Sequence, residues 1–398
     1  MSGREYWLWL AAKEELTALA KHQLLDRFGT PEHLHAMSRA ELVTSTGLTK
    51  RQVDVLSDKS MERARAISFD CEKLHIAIVT FADAGYPAIL RRIPDPPLVL
   101  YVKGTLPDLE RAPGVGIVGT RKATPYGLMA AETFGKGLAE AGFTVVSGMA
   151  LGADGAAARG ALKAGGKTIA VLAGGLNLCY PPEHNFLMGD IQLAGAVISE
   201  NPPGTRHDGF RFPIRNRIIS GLSRGVLVVE APMRSGALIT AHLALDQGRE
   251  VFAVPGAINA PNSAGCNGLI RDGEAALVTN PRDIARELGG SLRRLPEPLP
   301  ADPGEASGEK PASLWDRILQ PPEGSSVPAQ PRQEEKHRIP EGLSEEHRQI
   351  VQAVLDGAGT PEDILERTDL PAARVMTALT LLELDGVLAR ESGRIVIQ

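Results

Sequence analysis

The residues best placed to bind a ligand begin with Gly119-Thr120-Arg121. They follow an apolar run typical of a buried strand, and Pro125 then suits the first turn of a helix, where its missing N–H costs no hydrogen bond. Turn amides and a helix N-terminus at such a junction bind anions. Arg121 adds a permanent positive charge suited to bidentate phosphate recognition. The sequence therefore predicts a phosphate-recognising site at the end of a strand.

Two further junctions between a strand and a helix carry small and polar residues. Ser147-Gly148 opens the first, and its small side chains would let a ligand approach the backbone. Asp154 in the same turn is interpreted as a helix cap, with a pocket carboxylate as the alternative. Gly174 marks the second junction. His184, which follows it, has no partner at metal-ligand spacing and is expected to be a surface or capping residue.

The most polar cluster spans residues 210–224. Guanidinium groups bind phosphates and ring faces stack on bases, so this cluster suits a nucleic-acid strand. A salt-bridged helix N-terminus with both phenylalanines in the core explains the pattern equally well. Helical spacing predicts that Ile214, Ile218 and Leu222 form the buried stripe. The aromatic, arginine and amide residues of the cluster are Phe210, Arg211, Phe212, Arg215, Asn216 and Arg217.

A last polar cluster runs from Glu230 to Ser235-Gly236, just before a predicted helix, and is another arrangement that binds anions. No serine in this part of the chain has a histidine and an acid at a readable spacing, and no pair of carboxylates is isolated as an acid–base couple. These residues indicate binding rather than catalysis, so the protein is not expected to be an enzyme.

Two glycine patterns resemble nucleotide-binding loops but stand in the wrong order. Gly114, Gly116 and Gly119 match G-x-G-x-x-G, yet two of them precede or lie inside the strand instead of following it. Residues 160–168 approach a Walker A loop, but the segment has one residue too many and runs from helix to strand. A dinucleotide fingerprint and an ATPase are therefore disfavoured, and no cofactor or metal is predicted.

The composition is that of a soluble globular protein, with 43% hydrophobic and 23% charged residues among 398. The net charge of −5 gives no global basic field, so any nucleic-acid site must be local. Three scattered cysteines favour a reducing compartment over a disulfide or zinc framework. Neither a signal-peptide core nor an apolar run near the ~20 residues of a membrane span is present. We expect a cytoplasmic protein without a membrane partner.

Apolar strands alternate with amphipathic helices over residues 110–288. This alternation predicts an α/β fold with a parallel sheet covered on both faces, which binds ligands outside the carboxyl ends of its strands. The predicted strands cover residues 115–118, 144–147, 168–172, 196–199, 226–230 and 251–254. The predicted helices cover residues 126–141, 154–164, 183–193, 214–222 and 237–247.

Three other segments flank this core, which is expected to span residues 76–289. Residues 1–75 are predicted to be helical, and Gly47-Leu48-Thr49 resembles the hairpin of helix-hairpin-helix modules, although Thr49 stands where a second glycine would admit DNA. A packing domain is therefore favoured there. Residues 290–342 have the composition of a disordered linker, with one short helix at 313–319. Residues 343–398 show three helices and a hairpin, the winged-helix pattern.

The winged-helix segment is acidic, which affects its expected role. From residue 341 to 398 it holds five arginines, no lysine and eleven acidic residues. Its third predicted helix offers only Arg374 as a cation. A helix that enters the major groove would present more positive charge. We therefore favour a protein-interaction or regulatory role over duplex binding.

Several of these motifs occur together and in order: 119–121, 147–154, 180–185, 212–222, 236–241 and 265–270. As a set they resemble the DprA/Smf family of DNA-processing proteins, strongly over roughly residues 80–290 and more weakly in the flanking segments. The resemblance implies an extended Rossmann core between a helical N-terminal domain and a C-terminal winged helix.

The same resemblance implies a function. Members of the family bind single-stranded DNA, dimerise, protect incoming strands and help to load RecA recombinase during natural transformation. Arg121 would then contact a phosphate, with Arg215 and Arg217 lining the same pocket. Ala158 departs from the family pattern, which usually has histidine there. The full set of expected DNA-binding residues is Gly119, Thr120, Arg121, Ser147, Gly148, Gly174, Asn185, Phe212, Arg215, Asn216, Arg217, Ser235 and Gly236.

Two other functions remain open from the sequence. One is a nucleotide-binding or nucleotide-processing enzyme on a related Rossmann core, such as a phosphoribohydrolase, although the Pro-Gly-Gly-x-Gly-Thr turn of those enzymes is absent. The other is a sensing module that binds a nucleotide and signals through the acidic tail. Under either hypothesis the protein would bind a small nucleotide in the absence of DNA.

Overall fold

The computed structural model describes residues 3–289 and, with gaps, residues 344–397. These belong to two compact units, within Met1–Leu299 and within Pro300–Gln398. The linker predicted at 290–342, with its short helix at 313–319, lies outside the described residues, and the domain boundaries stay predictions.

A nine-stranded sheet forms the centre of the first unit, in the order β1-β2-β6-β5-β4-β3-β7-β8-β9. All pairs from β3 to β9 are parallel, whereas β2 runs antiparallel to both β1 and β6. The strands are β1 (Ala77–Thr80), β2 (Val99–Gly104), β3 (Gly114–Val118), β4 (Thr144–Ser147), β5 (Thr168–Val171), β6 (Ala196–Ser199), β7 (Gly225–Val228), β8 (Glu250–Ala253) and β9 (Ala276–Leu277). The α/β fold class and the six predicted strands are confirmed.

Six helices precede the sheet. Side-chain caps explain their boundaries: Ser38 and Thr49 each form a capping box, and Thr30 caps a helix with proline at its first position. Gly47, between two of the helices, has the left-handed φ of 62° that favours glycine. The six are α1 (Gly3–Ala11), α2 (Ala18–Phe28), α3 (Pro31–Ala36), α4 (Arg39–Thr46), α5 (Lys50–Ser57) and α6 (Glu62–Lys73).

Helices cover both faces of the sheet, and the strands are therefore apolar on both sides. Val115 and Ile117 of β3 pack with helices on one face, while Val118 packs with helices on the other. These helices, which confirm the five predicted ones, are α7 (Pro125–Glu140), α8 (Ala153–Lys163), α9 (Asn185–Ala194), α10 (Arg211–Gly221), α11 (Gly236–Asp246), α12 (Ala264–Arg271) and α13 (Pro281–Glu287).

The strand order reverses at β3, which lies between β4 and β7. The chain runs outward from β3 through β4, β5 and β6, and then returns to the other side of β3 as β7. Loops that leave the carboxyl ends of β3 and β7 therefore diverge and open a crevice, the usual ligand position of such sheets. The loop after β3 is tightly packed, because a Cβ at Gly119 would lie 2.6 Å from the Ala153 Cβ.

The second unit contains α14 (Glu345–Leu355) and an antiparallel hairpin of β10 (Leu388–Glu391) and β11 (Arg394–Ile397). Ile350, Leu379 and Leu388 contribute to its buried core. The first helix and the hairpin of the predicted winged helix are thus confirmed, and its second and third helices fall partly outside the described residues. Within the described part of the chain, no helix has the length and apolar character needed to span a membrane.

Candidate nucleic-acid interface

A cleft of about 320 Å³ lies at the point where the strand order reverses. Its walls are formed by the loops after β3, β4 and β7, the start of α8, one side of α10 and the start of α11. Eight of the residues expected from the sequence line it: Gly119, Thr120, Arg121, Phe212, Arg215, Asn216, Ser235 and Gly236.

The loop after β3 presents Arg121 on the surface of the cleft. The Thr120 N–H donates to the Glu230 carbonyl at 2.7 Å, and the Asn262 side chain donates to the Lys122 carbonyl at 3.2 Å. Both neighbours of Arg121 are therefore held by hydrogen bonds. Within the described residues Arg121 itself forms no ion pair, so its charge is available to a ligand.

Arg215 lies deeper in the cleft and is only 5% exposed. Its Nη1 donates to the backbone carbonyls of Gly148, at 3.0 Å, and Val171, while its Nε has no partner. Burial lowers the pKa of this guanidinium to about 10, which leaves it protonated at neutral pH. Arg215 is thus a buried cation held by carbonyl oxygens, and no carboxylate lies within ion-pair distance among the described residues.

The one acidic residue among those lining the cleft is Asp154. Its carboxylate accepts hydrogen bonds from the Gly148 N–H at 2.9 Å and the Ala150 N–H at 3.5 Å. Burial raises the pKa of Asp154, and the nearby Arg215 only partly opposes this effect. The side chain holds the loop after β4 and does not cap α8, whose N-cap is Gly152. The capping interpretation is wrong, and the alternative of a pocket carboxylate is confirmed.

Aromatic side chains extend the cleft on one side. The Phe212 ring centroid lies 4.7 Å from the Arg121 guanidinium carbon and 5.9 Å from that of Arg215. Tyr180 lies 5.5 Å from Phe212 and stacks on His207 at 5.3 Å with an interplanar angle of 19°. We call Phe212, Tyr180 and His207 the aromatic row. It lines a second, smaller cavity of about 40 Å³ that also includes Gly148.

The opposite wall is the start of α11. The Ser235 hydroxyl accepts from the Ala237 N–H at 3.2 Å and caps this helix, while the Asn216 side chain donates to the Gly236 carbonyl at 3.3 Å. Arg234 precedes this cap, is exposed and lines the cleft without an ion pair in the described residues. Sequence reasoning missed Arg234 as a site residue, although its position beside Ser235-Gly236 was a usable signal.

Apart from Arg217, three of the expected residues line neither cavity. Ser147 is fully buried, and its hydroxyl accepts from the Met149 N–H at 3.3 Å, so it shapes the turn. Gly174 packs closely against the neighbouring loop, where a Cβ would lie 3.0 Å from the His207 ring. Asn185 is exposed at the first position of α9. These three residues can support the shape of the site, but none of them lines it.

Arg217 does not share a pocket with Arg215, so this expectation from the sequence is wrong. It lies in a separate groove of about 450 Å³, where its guanidinium lies 2.7 Å from the Glu200 carboxylate and 2.9 Å from that of Asp95. Two positions along an α-helix rotate a side chain by roughly 200°, so Arg215 and Arg217 point to different sides of α10. Burial acts against the charge of Arg217, but the two carboxylates outweigh it and raise its pKa.

Other expectations for this region are also wrong. His184 is buried, with its Nδ1 3.0 Å from the Met149 carbonyl oxygen, so it is not a surface residue; it stands at the N-cap position of α9 without a side-chain capping hydrogen bond. Ile214 is 50% exposed, whereas Ile218 and Leu222 are buried as predicted. Phe210 is 62% exposed, which excludes it from the core.

Fold and cleft together define a Rossmann-type domain with an arginine-lined cleft at the reversal of strand order. Residues 77–289 match the family model described as DNA recombination-mediator protein A, and residues 334–394 match the DprA winged helix domain. The DNA processing protein DprA of Bacillus subtilis is 43% identical over 224 residues, which cover 56% of this chain and 75% of that protein. The chain belongs to the DprA/Smf family, as its motifs predicted.

Solved structures agree with this family. The X-ray structure of DNA processing protein A from Streptococcus pneumoniae aligns with a TM-score of 0.56 and 35% identity, covering 71% of this chain and 97% of that one. A structure described as showing the single-stranded DNA binding mode of DNA processing protein A from Helicobacter pylori gives a TM-score of 0.49 and 30% identity, covering 54% and 96%. The alignment with the Streptococcus pneumoniae structure confirms the extended Rossmann-like fold class.

Proposed function

We propose that this protein binds single-stranded DNA in the cleft at β3 and β7 and acts as a non-catalytic recombination mediator. The observation that carries the proposal is the position of Arg121, Arg215 and Arg234 around a cleft with one carboxylate. Cations without a carboxylate partner are suited to phosphates, and their contacts give salt-dependent binding.

The aromatic row supports a single strand rather than a duplex. Bases of a single strand are free to stack on ring faces, whereas in a duplex they are already stacked on each other. Two guanidinium groups lie close to the Phe212 ring, so a nucleotide that contacts this ring would bring its adjoining phosphates near Arg121 and Arg215. The Tyr180 ring lies next to that of Phe212 and offers a surface for a second base. The expected DNA-binding set stays a proposal, with Arg217 removed from it and Arg234 added.

Fluorescence anisotropy of a labelled oligonucleotide, single-stranded or as a duplex, tests this proposal. We expect preference for the single strand, and binding about tenfold weaker for Arg121→Ala, the loss expected for one hydrogen bond to a charged group. Arg111→Ala is a matched control, because Arg111 is an exposed arginine outside the cleft. Equal affinity for duplex, or equal effects of the two substitutions, would contradict the proposal. Binding of neither DNA would shift the assignment to a small nucleotide.

We further propose that the protein works as a homodimer that protects incoming strands and helps to load RecA recombinase during natural transformation. Membership of the DprA/Smf family supports this part of the proposal. Sedimentation velocity measures the dimer, and the rate at which RecA coats DNA already covered by single-strand-binding protein measures loading. A monomer, or a RecA coating rate that this protein leaves unchanged, would contradict it.

A further inference from the structure

A carboxylate of the protein itself lies at the N-terminus of α7. Glu230 follows β7 and is only 3% exposed. Its Oε2 accepts from the Thr124 N–H at 2.8 Å, and its Oε1 accepts from the Thr124 hydroxyl at 2.9 Å. Thr124 is the N-cap of α7, and its hydroxyl also accepts from the Gly127 N–H at 3.2 Å. A negative group is therefore bound where the helix dipole favours one.

Close packing leaves no room for a second anion at this point. A Cβ at Gly127 would overlap the Glu230 carboxylate, so the side chain lies directly against the first turn of α7. Gly119, on the other side, is in similarly close contact with Ala153 and with the Glu230 backbone. The absence of a side chain at Gly127 admits the carboxylate, and its absence at Gly119 lets the loop after β3 pack against the Glu230 backbone.

This location is the one that nucleotides use in related sheets. In doubly wound sheets the pyrophosphate of a dinucleotide binds at the N-terminus of the helix that follows the strand at the reversal of strand order. In this protein that strand is β3 and that helix is α7. The cations of the cleft lie elsewhere, on the loop after β3, on α10 and beside the start of α11.

We propose that Glu230 is a specificity-determining residue, which fills the anion position of α7 and so excludes nucleotide phosphates while the arginines bind a strand. That the bound strand is single-stranded DNA rests on the proposed function. Glu230 has a positioning role as well, because its backbone carbonyl holds Thr120 and its carboxylate holds Thr124, on either side of Arg121. One residue thus closes one anion site and orients another.

Isothermal titration with ADP and with inorganic pyrophosphate tests the exclusion. Glu230→Ala and Glu230→Ser vacate the position, and we expect both probes to bind them at least about tenfold more tightly than wild type. Glu230→Gln keeps the position filled without charge and should show no such gain. Glu132→Gln controls for net charge, because Glu132 is a half-exposed carboxylate of α7 that pairs with Lys163. Thermal denaturation identifies the variants that fold. One folded variant, Glu230→Ala or Glu230→Ser, is enough for the test.

A purely structural Glu230 would lower thermal stability and weaken DNA binding without any gain in ADP or pyrophosphate affinity, and this result would overturn the inference. An equal gain in Glu230→Gln would also overturn it, because charge rather than occupancy would then decide. The oligonucleotide assay on the same proteins separates the two proposals. If wild type fails to bind a single strand while the vacating variants gain ADP, the proposed function fails and the exclusion by Glu230 stands.

Discussion

The two sides of α10 place arginines in opposite surroundings. On the cleft side Arg215 contacts carbonyl oxygens and a ring, near an equally unpaired Arg121. On the other side Arg217 is enclosed by the carboxylates of Glu200 and Asp95. The two arginines are only two positions apart in the sequence, with Asn216 between them. The comparison shows that arginine content does not locate a phosphate site, because a paired guanidinium contributes to the fold and an unpaired one is free for a ligand.

Removal of the paired arginine gives the largest expected effect, and the effect is on stability. Arg217→Ala leaves two carboxylates facing each other with no cation between them, which we expect to cost about 3 kcal/mol of unfolding free energy. Urea denaturation measures it. Arg111→Ala, which removes an exposed arginine, should cost less than about 1 kcal/mol. A similar small cost for Arg217→Ala would show that the buried pairing does not stabilise the fold.

Two phenylalanines on the same helix turn sharpen the comparison through binding. Phe212 belongs to the aromatic row, whereas Phe210 lies beside the groove of Arg217. Loss of a stacked base costs about 1–3 kcal/mol, so Phe212→Ala should weaken single-strand binding by about tenfold. Phe210→Ala should change it by less than about twofold, since its ring lies outside both the cleft and the aromatic row. Anisotropy with the same oligonucleotide measures both, and equal losses would contradict the separation of the two sides.

The acid on the cleft side, Asp154, predicts that stability depends on pH, an effect smaller than the previous two. Burial raises the folded-state pKa of Asp154 above its ordinary value, so the folded protein holds this proton more tightly than the unfolded chain. Stability from Asp154 is therefore present at low pH and lost as pH rises through the raised pKa. Between about pH 4 and pH 7, wild type should lose more stability than Asp154→Asn. Parallel curves for the two proteins would contradict a raised pKa.

Sequence patterns predicted the sheet well because its strands are buried on both faces. The continuous apolar runs of β3 to β8 leave few alternatives, and glycine turns after them mark the carboxyl edge. The antiparallel strands β1 and β2 were not predicted. Both carry apolar runs, at 76–79 and 98–102, but they lie before residue 110, outside the alternation of strands and helices from which the sheet was predicted.

Contacts between distant residues account for most of what the sequence did not reveal. Arg217 and its partner Asp95 are 122 residues apart, so no local pattern distinguishes this arginine from Arg215. Glu230 is bonded to Thr124, 106 residues away, and in the sequence it is only an acid after a strand. His184 is buried through the Met149 carbonyl, 35 residues away. Such pairings arise from the strand order and become visible only in three dimensions.

The salt dependence of single-strand binding tests the central claim most directly, because it counts the charges that meet phosphates. Arg121→Ala should reduce the slope of log affinity against log salt by about 0.7, one contact's share on a single strand. Arg217→Ala, measured under conditions where it is folded, should leave the slope unchanged. Equal slopes for wild type and Arg121→Ala, or a loss of slope in Arg217→Ala, would contradict the assignment of the cleft arginines as the phosphate site.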